Sequence, residues 1–174
     1  MIVFLKEKMG VYGPLSSSLR RMLDLVAPSG SPEDILYHPC LVTLKDGRVI
    51  DRVYVQEAQT YIRSWGVWPE QGSGKWSLPI EAVAMIESSP TRLPARIATE
   101  IYKSGESGMG FNIFTLIFAD GQRQAYSFGN AVDFVIYPRG KGPNDVVAVL
   151  PHEGRNEPEI IGPPHYHWCL YSEA

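Results

Sequence analysis

Two Asp-Gly pairs, each inside a run of β-forming residues, constrain the fold of this chain more than any other feature. The first lies in residues 44–47 (Leu-Lys-Asp-Gly) and the second in residues 118–121 (Phe-Ala-Asp-Gly). An Asp-Gly pair supplies the positive φ angles that a tight hairpin turn requires. The sequence therefore predicts two β-hairpins, one in each half of the chain.

An apolar strand follows each hairpin, which suggests an internal repeat. Residues 81–86 (Glu-Ala-Val-Ala-Met-Ile) resemble residues 145–150 (Asp-Val-Val-Ala-Val-Leu). Two copies of a hairpin and a closing strand predict a mainly β fold built from two tandem SH3-like antiparallel barrels or rolled sheets with two short helices. The alternative is a single α+β domain with one merged antiparallel sheet.

This pattern divides the 174 residues into five segments. They are an N-terminal strand and helix (1–34), the first β unit (35–90), a helical connector with a Gly-rich loop (91–110), the second β unit (111–151), and a C-terminal tail and strand (152–174). Leu15, Leu19 and Leu23 share one face of the first helix, and the residues from Pro94 to Lys103 form the second.

Four shorter segments are also predicted to be strands from their composition. These segments are Ile2–Leu5, Ala58–Trp65, Val132–Tyr137 and His165–Tyr171.

The composition is that of a globular protein without a strongly charged surface. Apolar residues make up 44% and charged residues 20%, and the net charge is −3. A nucleic-acid-binding surface needs concentrated positive charge, so the composition disfavours that class of partner. The N-terminal apolar run precedes its charges and is too short for a secretory signal, and no stretch is long enough to span a bilayer. We therefore expect a cytoplasmic protein with no membrane partner.

A cluster of aromatic residues is the first candidate site. Trp65, Trp68 and Trp76 lie within twelve residues, and Tyr61 comes just before them. Aromatic side chains on a glycine-containing loop are typical of a surface that recognises a protein or peptide. The same residues could instead cap the open end of a barrel or form a self-association interface.

A His/Cys pattern near the C-terminus is the second candidate site. On a strand, His165, His167 and Cys169 lie two residues apart and so point to one face, a spacing suited to zinc or a similar divalent metal. His152 could supply a further ligand. The alternative is that the two histidines are ordinary half-exposed residues on an edge strand and that Cys169 is buried.

Nucleophiles, acids and thiols give weaker signals. Ser107 lies in the Gly-rich loop but has no histidine near it in sequence to act as a base, and the chain holds neither a P-loop nor a nucleophile elbow. Asp133, between two apolar residues, is expected on the solvent face of its strand. Cys40 and Cys169 are either two buried thiols or a pair joined across the fold.

These observations favour a binding or protein-interaction module without catalytic activity or cofactor. Its surface would comprise Tyr61, Trp65, Trp68 and Trp76, and its partner would be a protein, a peptide or a second copy of the chain. The first alternative is a zinc-binding protein or metal-dependent enzyme that uses the His/Cys residues. The second is a nucleic-acid-binding small barrel with Arg48, Arg52 and Arg63 beside the tryptophans.

Overall fold

The computed structural model describes residues 11–72 and 75–173, and the chain divides into two compact units. Unit 1 comprises Met1–Ala27, Tyr37–Ser89 and Tyr166–Ala174. Unit 2 comprises Pro28–Leu36 and Pro90–His165. The C-terminal tail, predicted as one segment, thus contributes to both units.

The described part of the chain is mainly β, as the sequence predicts. Its α-helices are α1 (Ser17–Asp24), α2 (Ala58–Trp65) and α3 (Ala95–Lys103). Its strands are β1 (Ser29–Gly30), β2 (Leu36–Tyr37), β3 (Pro39–Leu44), β4 (Val49–Glu57), β5 (Trp76–Ser77), β6 (Val83–Ser88), β7 (Asn112–Phe118), β8 (Arg123–Phe128), β9 (Val146–Pro151), β10 (Ile160–Ile161) and β11 (His167–Tyr171). No described helix is long and apolar enough to cross a bilayer.

Unit 1 contains a five-stranded sheet in the order β5-β11-β4-β3-β6. The hairpin partners β3 and β4 are antiparallel, β6 is antiparallel to β3, and β11 runs parallel to both β4 and β5. One face carries a core to which Val42, Val53 and Cys169 contribute. Helix α1 adds Leu19 and Leu23 to this core, and the Ser16 side chain caps its N-terminus.

Unit 2 contains a four-stranded sheet in the order β10-β8-β7-β9. Strands β7 and β8 form the second hairpin, β9 is antiparallel to β7, and β10 is parallel to β8. Nearly every residue of β7 is buried, as expected for a strand covered on both faces. Helix α3 packs Ile97, Ala98 and Ile101 against the core of this sheet.

The two sheets share one connectivity. In each, a hairpin is followed by a strand antiparallel to its first arm and later by a strand parallel to its second arm. The register also agrees, because Leu44 pairs with Val83 in unit 1 and Phe118 pairs with Val146 in unit 2. The alignment of residues 81–86 with residues 145–150 is therefore wrong by one position. It aligns Val83 with Val147, whereas the strand pairing makes Val83 equivalent to Val146.

Both sheets are open in the residues that the structure describes. Each has two edge strands, β5 and β6 in unit 1 and β10 and β9 in unit 2, and these edges do not pair to close a barrel. The closed form of the predicted barrel is therefore absent from this part of the chain. The likeness to SH3 domains stays a prediction.

Two of the predicted strands are wrong. Residues Ala58–Trp65 form a helix because the Glu57 carboxylate accepts hydrogen bonds from the first free amides, at 3.0 Å from Gln59 and 2.6 Å from Thr60. Gly66, with φ of 77°, ends the helix in the left-handed conformation. The segment 132–137 is irregular, with only an isolated bridge from Phe134 to Arg92. The predicted strand at residues 2–5 lies outside the described residues.

Candidate functional site

The aromatic cluster is built around Trp168, a β11 residue with no solvent exposure. Because side chains alternate along a strand, Trp168 projects from the face opposite Cys169 and the α1 core. Its ring stacks on Tyr54 of the neighbouring strand, with centroids 4.8 Å apart, and meets Tyr61 and Trp65 of α2 edge-on at 4.9 and 5.0 Å. Helix α2 and its aromatic residues therefore cover the second face of this sheet.

Tyr61 and Trp65 are one helical turn apart on α2, so their rings lie side by side. The ring planes differ by 5° and the centroids lie 5.9 Å apart. Trp68 extends the stack beyond the helix, with its centroid 6.5 Å from that of Tyr61, and the Tyr12 ring packs against Trp68 with the two centroids 5.4 Å apart. The rings of Tyr61, Trp65 and Trp68 thus form one stack.

The predicted site residues differ strongly in accessibility. Tyr61 has no exposed surface, and Trp65 and Trp68 are half-buried. Trp76 is 53% exposed, and its ring contacts that of His167 with centroids 5.8 Å apart. Tyr61 is therefore a supporting residue, while the three tryptophans are the predicted residues that a partner can reach.

Two residues that the sequence interpretation missed complete this surface. Val67, between Trp65 and Trp68, is 46% exposed, and the Nζ of Lys75 lies 4.7 Å from the centre of the Trp65 ring. Burial lowers the pKa of Lys75. We call Trp65, Val67, Trp68 and Lys75 the aromatic surface. Trp76 lies outside it, because Trp76 pairs with His167 of β11 and its side chain therefore projects from the sheet face opposite that of Trp168.

Polar contacts connect the described residues close to Trp68 and Trp76. The Glu70 carboxylate accepts hydrogen bonds from the hydroxyls of Tyr12, at 2.7 Å, and Ser77, at 3.1 Å. Burial and the neighbouring Glu70 raise the pKa of Tyr12, so its hydroxyl keeps its hydrogen. Trp65 Nε1 donates to the Tyr37 hydroxyl at 3.2 Å.

The predicted metal ligands occupy different environments. Cys169 belongs to the unit 1 core, and His167 of the same strand contacts Trp76. His165 and His152 are exposed residues of unit 2. The described residues contain no group of three or more His, Cys, Asp and Glu side chains placed to hold a metal ion. The metal hypothesis thus gains no geometric support.

The three arginines predicted to line a nucleic-acid groove lie in three different elements of unit 1. Arg48 pairs with Asp46 in the first hairpin turn, with 2.8 Å between Nε and Oδ2. Arg52 lies within β4 at a positive φ of 58°, and Arg63 is exposed on α2. These placements give no support for a continuous basic groove formed by the three arginines.

Asp133 and the two cysteines are all buried side chains. Asp133 is fully buried, not on a solvent face, and accepts hydrogen bonds from Ser29 and Tyr102. The expectation failed because residues 132–137 do not form a strand with alternating faces. Cys40 and Cys169 are both free thiols, each buried in unit 1.

Comparison with protein-family models, curated proteins and solved structures found no match for this chain.

Proposed function

We propose that this chain is a protein-interaction module whose aromatic surface binds an apolar peptide segment of a partner protein. The observation that carries the proposal is the exposure of Val67 next to the half-buried Trp65 and Trp68, with the Lys75 ammonium group over the Trp65 ring. Large apolar side chains gathered at one exposed place are typical of interaction sites.

The support beneath the aromatic surface favours binding over simple capping. Tyr61 and Trp168 are fully buried and hold Trp65 from two sides. Aromatic side chains fixed in this way lose little further conformational freedom when a partner binds. A structural cap would bury Val67 as well, whereas this side chain is 46% exposed.

Lys75 gives the surface a polar group beside Trp65. Its ammonium group lies over the Trp65 ring, where the cation–π interaction holds it. The same group can pair with a carboxylate of the bound segment. We therefore expect a ligand with apolar side chains and an acidic residue, and we expect binding to weaken as salt increases.

Selection from a displayed peptide library tests the proposal. Peptides enriched on the wild-type protein should lose binding to the Val67→Ser and Lys75→Ala variants. Val49→Ser is a matched control, because Val49 is a 61% exposed valine of the same unit outside the aromatic surface. Sedimentation of the same variants tests whether the occupant is instead a second copy. The proposal fails if no peptide is enriched, or if the enriched peptides bind V67S and K75A as tightly as they bind V49S.

The common connectivity of the two sheets supports a further part of the proposal, namely that the units arose as tandem copies of one small β element. The same main-chain contact adjoins each turn, from Lys45 N to Ala82 O and from Ala119 N to Asp145 O, both at 2.8 Å. A short 3-10 turn precedes the closing strand in each unit, at Ile80–Ala82 and Pro143–Asp145. Only unit 1 carries the aromatic helix α2, so the interaction surface belongs to one copy.

A further inference from the structure

Ser107 and His152 form a hydrogen-bonded pair in unit 2. Ser107 lies in the Gly-rich loop between α3 and β7, and His152 directly follows β9. The Oγ of Ser107 lies 2.8 Å from Nδ1 of His152. The fold thus supplies the base that the sequence around Ser107 lacks.

The second ring nitrogen determines which tautomer His152 adopts. Nε2 lies 2.9 Å from the carbonyl oxygen of Ser104, which can only accept a hydrogen bond. Nε2 of the neutral ring therefore carries the hydrogen, and Nδ1 presents a lone pair to the Ser107 hydroxyl. This is the order of nucleophile, base and orienting group that activated serines use.

Main-chain contacts hold both side chains in place. The amide of Ile113 donates to Ser107 Oγ at 2.8 Å. The Ser107 hydroxyl has two acceptors within reach, the Ile113 carbonyl at 3.2 Å and Nδ1 of His152 at 2.8 Å, and the shorter distance favours His152. The His152 amide donates to the Ile113 carbonyl at 2.7 Å. His152 also has a positive φ of 67°, a conformation that L-residues seldom adopt and that recurs at functional sites.

The pair can be reached from solvent, and a cation lies beside it. His152 is exposed and Ser107 is half-buried. The Arg155 guanidinium donates to the Ser107 carbonyl oxygen at 2.7 Å, so a positive charge adjoins the serine. An anion that develops on a carbonyl or phosphonyl group attacked by Ser107 would be stabilised by this charge.

We propose that Ser107 is a nucleophile toward activated esters and related acyl or phosphonyl electrophiles, with His152 as its general base. In the first step Oγ bonds to the carbonyl carbon of the ester and its hydrogen passes to Nδ1 of His152. The carbon–oxygen bond to the leaving alcohol then breaks, and the alcohol takes the proton back from Nδ1. The product is an acyl-serine, which water hydrolyses with the same proton transfers. This activity lies in unit 2 and is independent of the aromatic surface in unit 1.

A fluorophosphonate probe tests the proposal directly, because it forms a stable adduct. The Oγ–phosphorus bond forms, the phosphorus–fluorine bond breaks, and fluoride and the serine proton leave. We expect mass spectrometry to locate one adduct, on Ser107, and the Ser107→Ala variant to remain unlabelled. His152→Asn should label about 100-fold more slowly, the usual contribution of a general base. Asparagine suits this position because it tolerates a positive φ.

Ser64→Ala is the control. It removes an exposed serine hydroxyl from α2 of unit 1 and leaves Ser107, His152 and their contacts unchanged, so its labelling rate should equal that of the wild type. Thermal unfolding of each variant shows whether it is folded, and H152N with S64A decides the matter if S107A does not fold. The proposal is overturned if Ser107 is labelled no faster than the other serines, or if H152N and wild type react at the same rate.

Discussion

The hydroxyl of Tyr102 donates a hydrogen bond to the carboxylate of Asp133, a side chain with no solvent exposure. The other carboxylate oxygen accepts from the Ser29 hydroxyl, and the Asp133 carbonyl accepts from the Leu93 amide at 2.8 Å. These donors come from α3, from β1 and from the segment before α3. A single buried acid therefore ties its own segment to two others in unit 2, namely β1 and the stretch from Leu93 through α3.

Replacing Asp133 should destabilise the protein strongly. Asp133→Ala leaves the Ser29 and Tyr102 hydroxyls without their acceptor, and we expect a loss of about 2–4 kcal/mol in the free energy of unfolding. Tyr102→Phe should cost about 1–2 kcal/mol, because the Val132 amide also donates to this hydroxyl, at 2.9 Å. Urea unfolding measures both. Glu157→Ala, a change of an exposed acid in the same unit, is the control and should leave the midpoint unchanged. Equal midpoints for D133A and E157A would contradict this role.

Gly154 is expected to be intolerant of any side chain. Its φ is +123°, and a Cβ would lie 2.8 Å from the Cβ of Ala125 and 2.9 Å from the Oγ1 of Thr115. Gly140 has a comparable positive φ of +80° but open space around it, so it isolates the backbone contribution. We expect Gly140→Ala to cost about 1 kcal/mol and Gly154→Ala at least about 1 kcal/mol more. Thermal unfolding of the two variants tests this order, and equal losses would show that the close contacts are relieved at no cost.

The two cysteines should be inert in the native protein. Both are free and neither has solvent exposure, so a thiol reagent reaches them only when the structure opens. With an aromatic disulfide reagent at pH 8 we expect no rapid reaction, followed by reaction of both thiols once guanidinium is added. Rapid reaction of even one thiol in native buffer would contradict the packing of β3 or β11.

The hairpins were predictable because an Asp-Gly pair acts locally. The register of the closing strands was not, because it depends on irregularities in the ladder. The pairing shifts between Thr43 and Leu44 and again between Ile117 and Phe118. Such a shift changes which residue lies opposite which without leaving a clear mark in the composition of the strand.

Helix α2 shows how capping can outweigh composition. Thr60, Tyr61 and Ile62 favour a strand when each residue is considered alone. The decisive signals are Glu57, whose carboxylate satisfies the first amides, and Gly66, which ends the helix. The glycine that ends the helix is a signal that can be recognised in the sequence. The acidic N-cap is a weaker signal, because it lies in the middle of a β-type run.

The candidate site was predictable only where its residues are neighbours in sequence. Trp65 and Trp68 are close along the chain, so their clustering could be predicted directly, whereas the pairing of Trp76 with His167 places Trp76 on the other face of the sheet. Trp168 supports Trp65 from a strand about a hundred residues later, and this contact depends on the parallel pairing of β11 with β4. Strands that pair in parallel are distant in sequence, and no local sequence pattern predicts which two strands pair.

Alkaline conditions should reveal the burial of Cys169. Burial raises the pKa of this thiol to about 12, whereas an unfolded cysteine ionises near pH 8.5. Between these values the folded state holds a proton that the unfolded state has lost, so the free energy of unfolding should fall as pH rises, by about 1.4 kcal/mol per pH unit from this thiol. Burial also raises the pKa of Tyr171, which adds to the slope in wild type and variant alike. Urea unfolding from pH 8 to 11 should therefore give a shallower decline for Cys169→Ala. Its loss of packing is the same at every pH, so parallel curves for the two proteins would contradict the assignment.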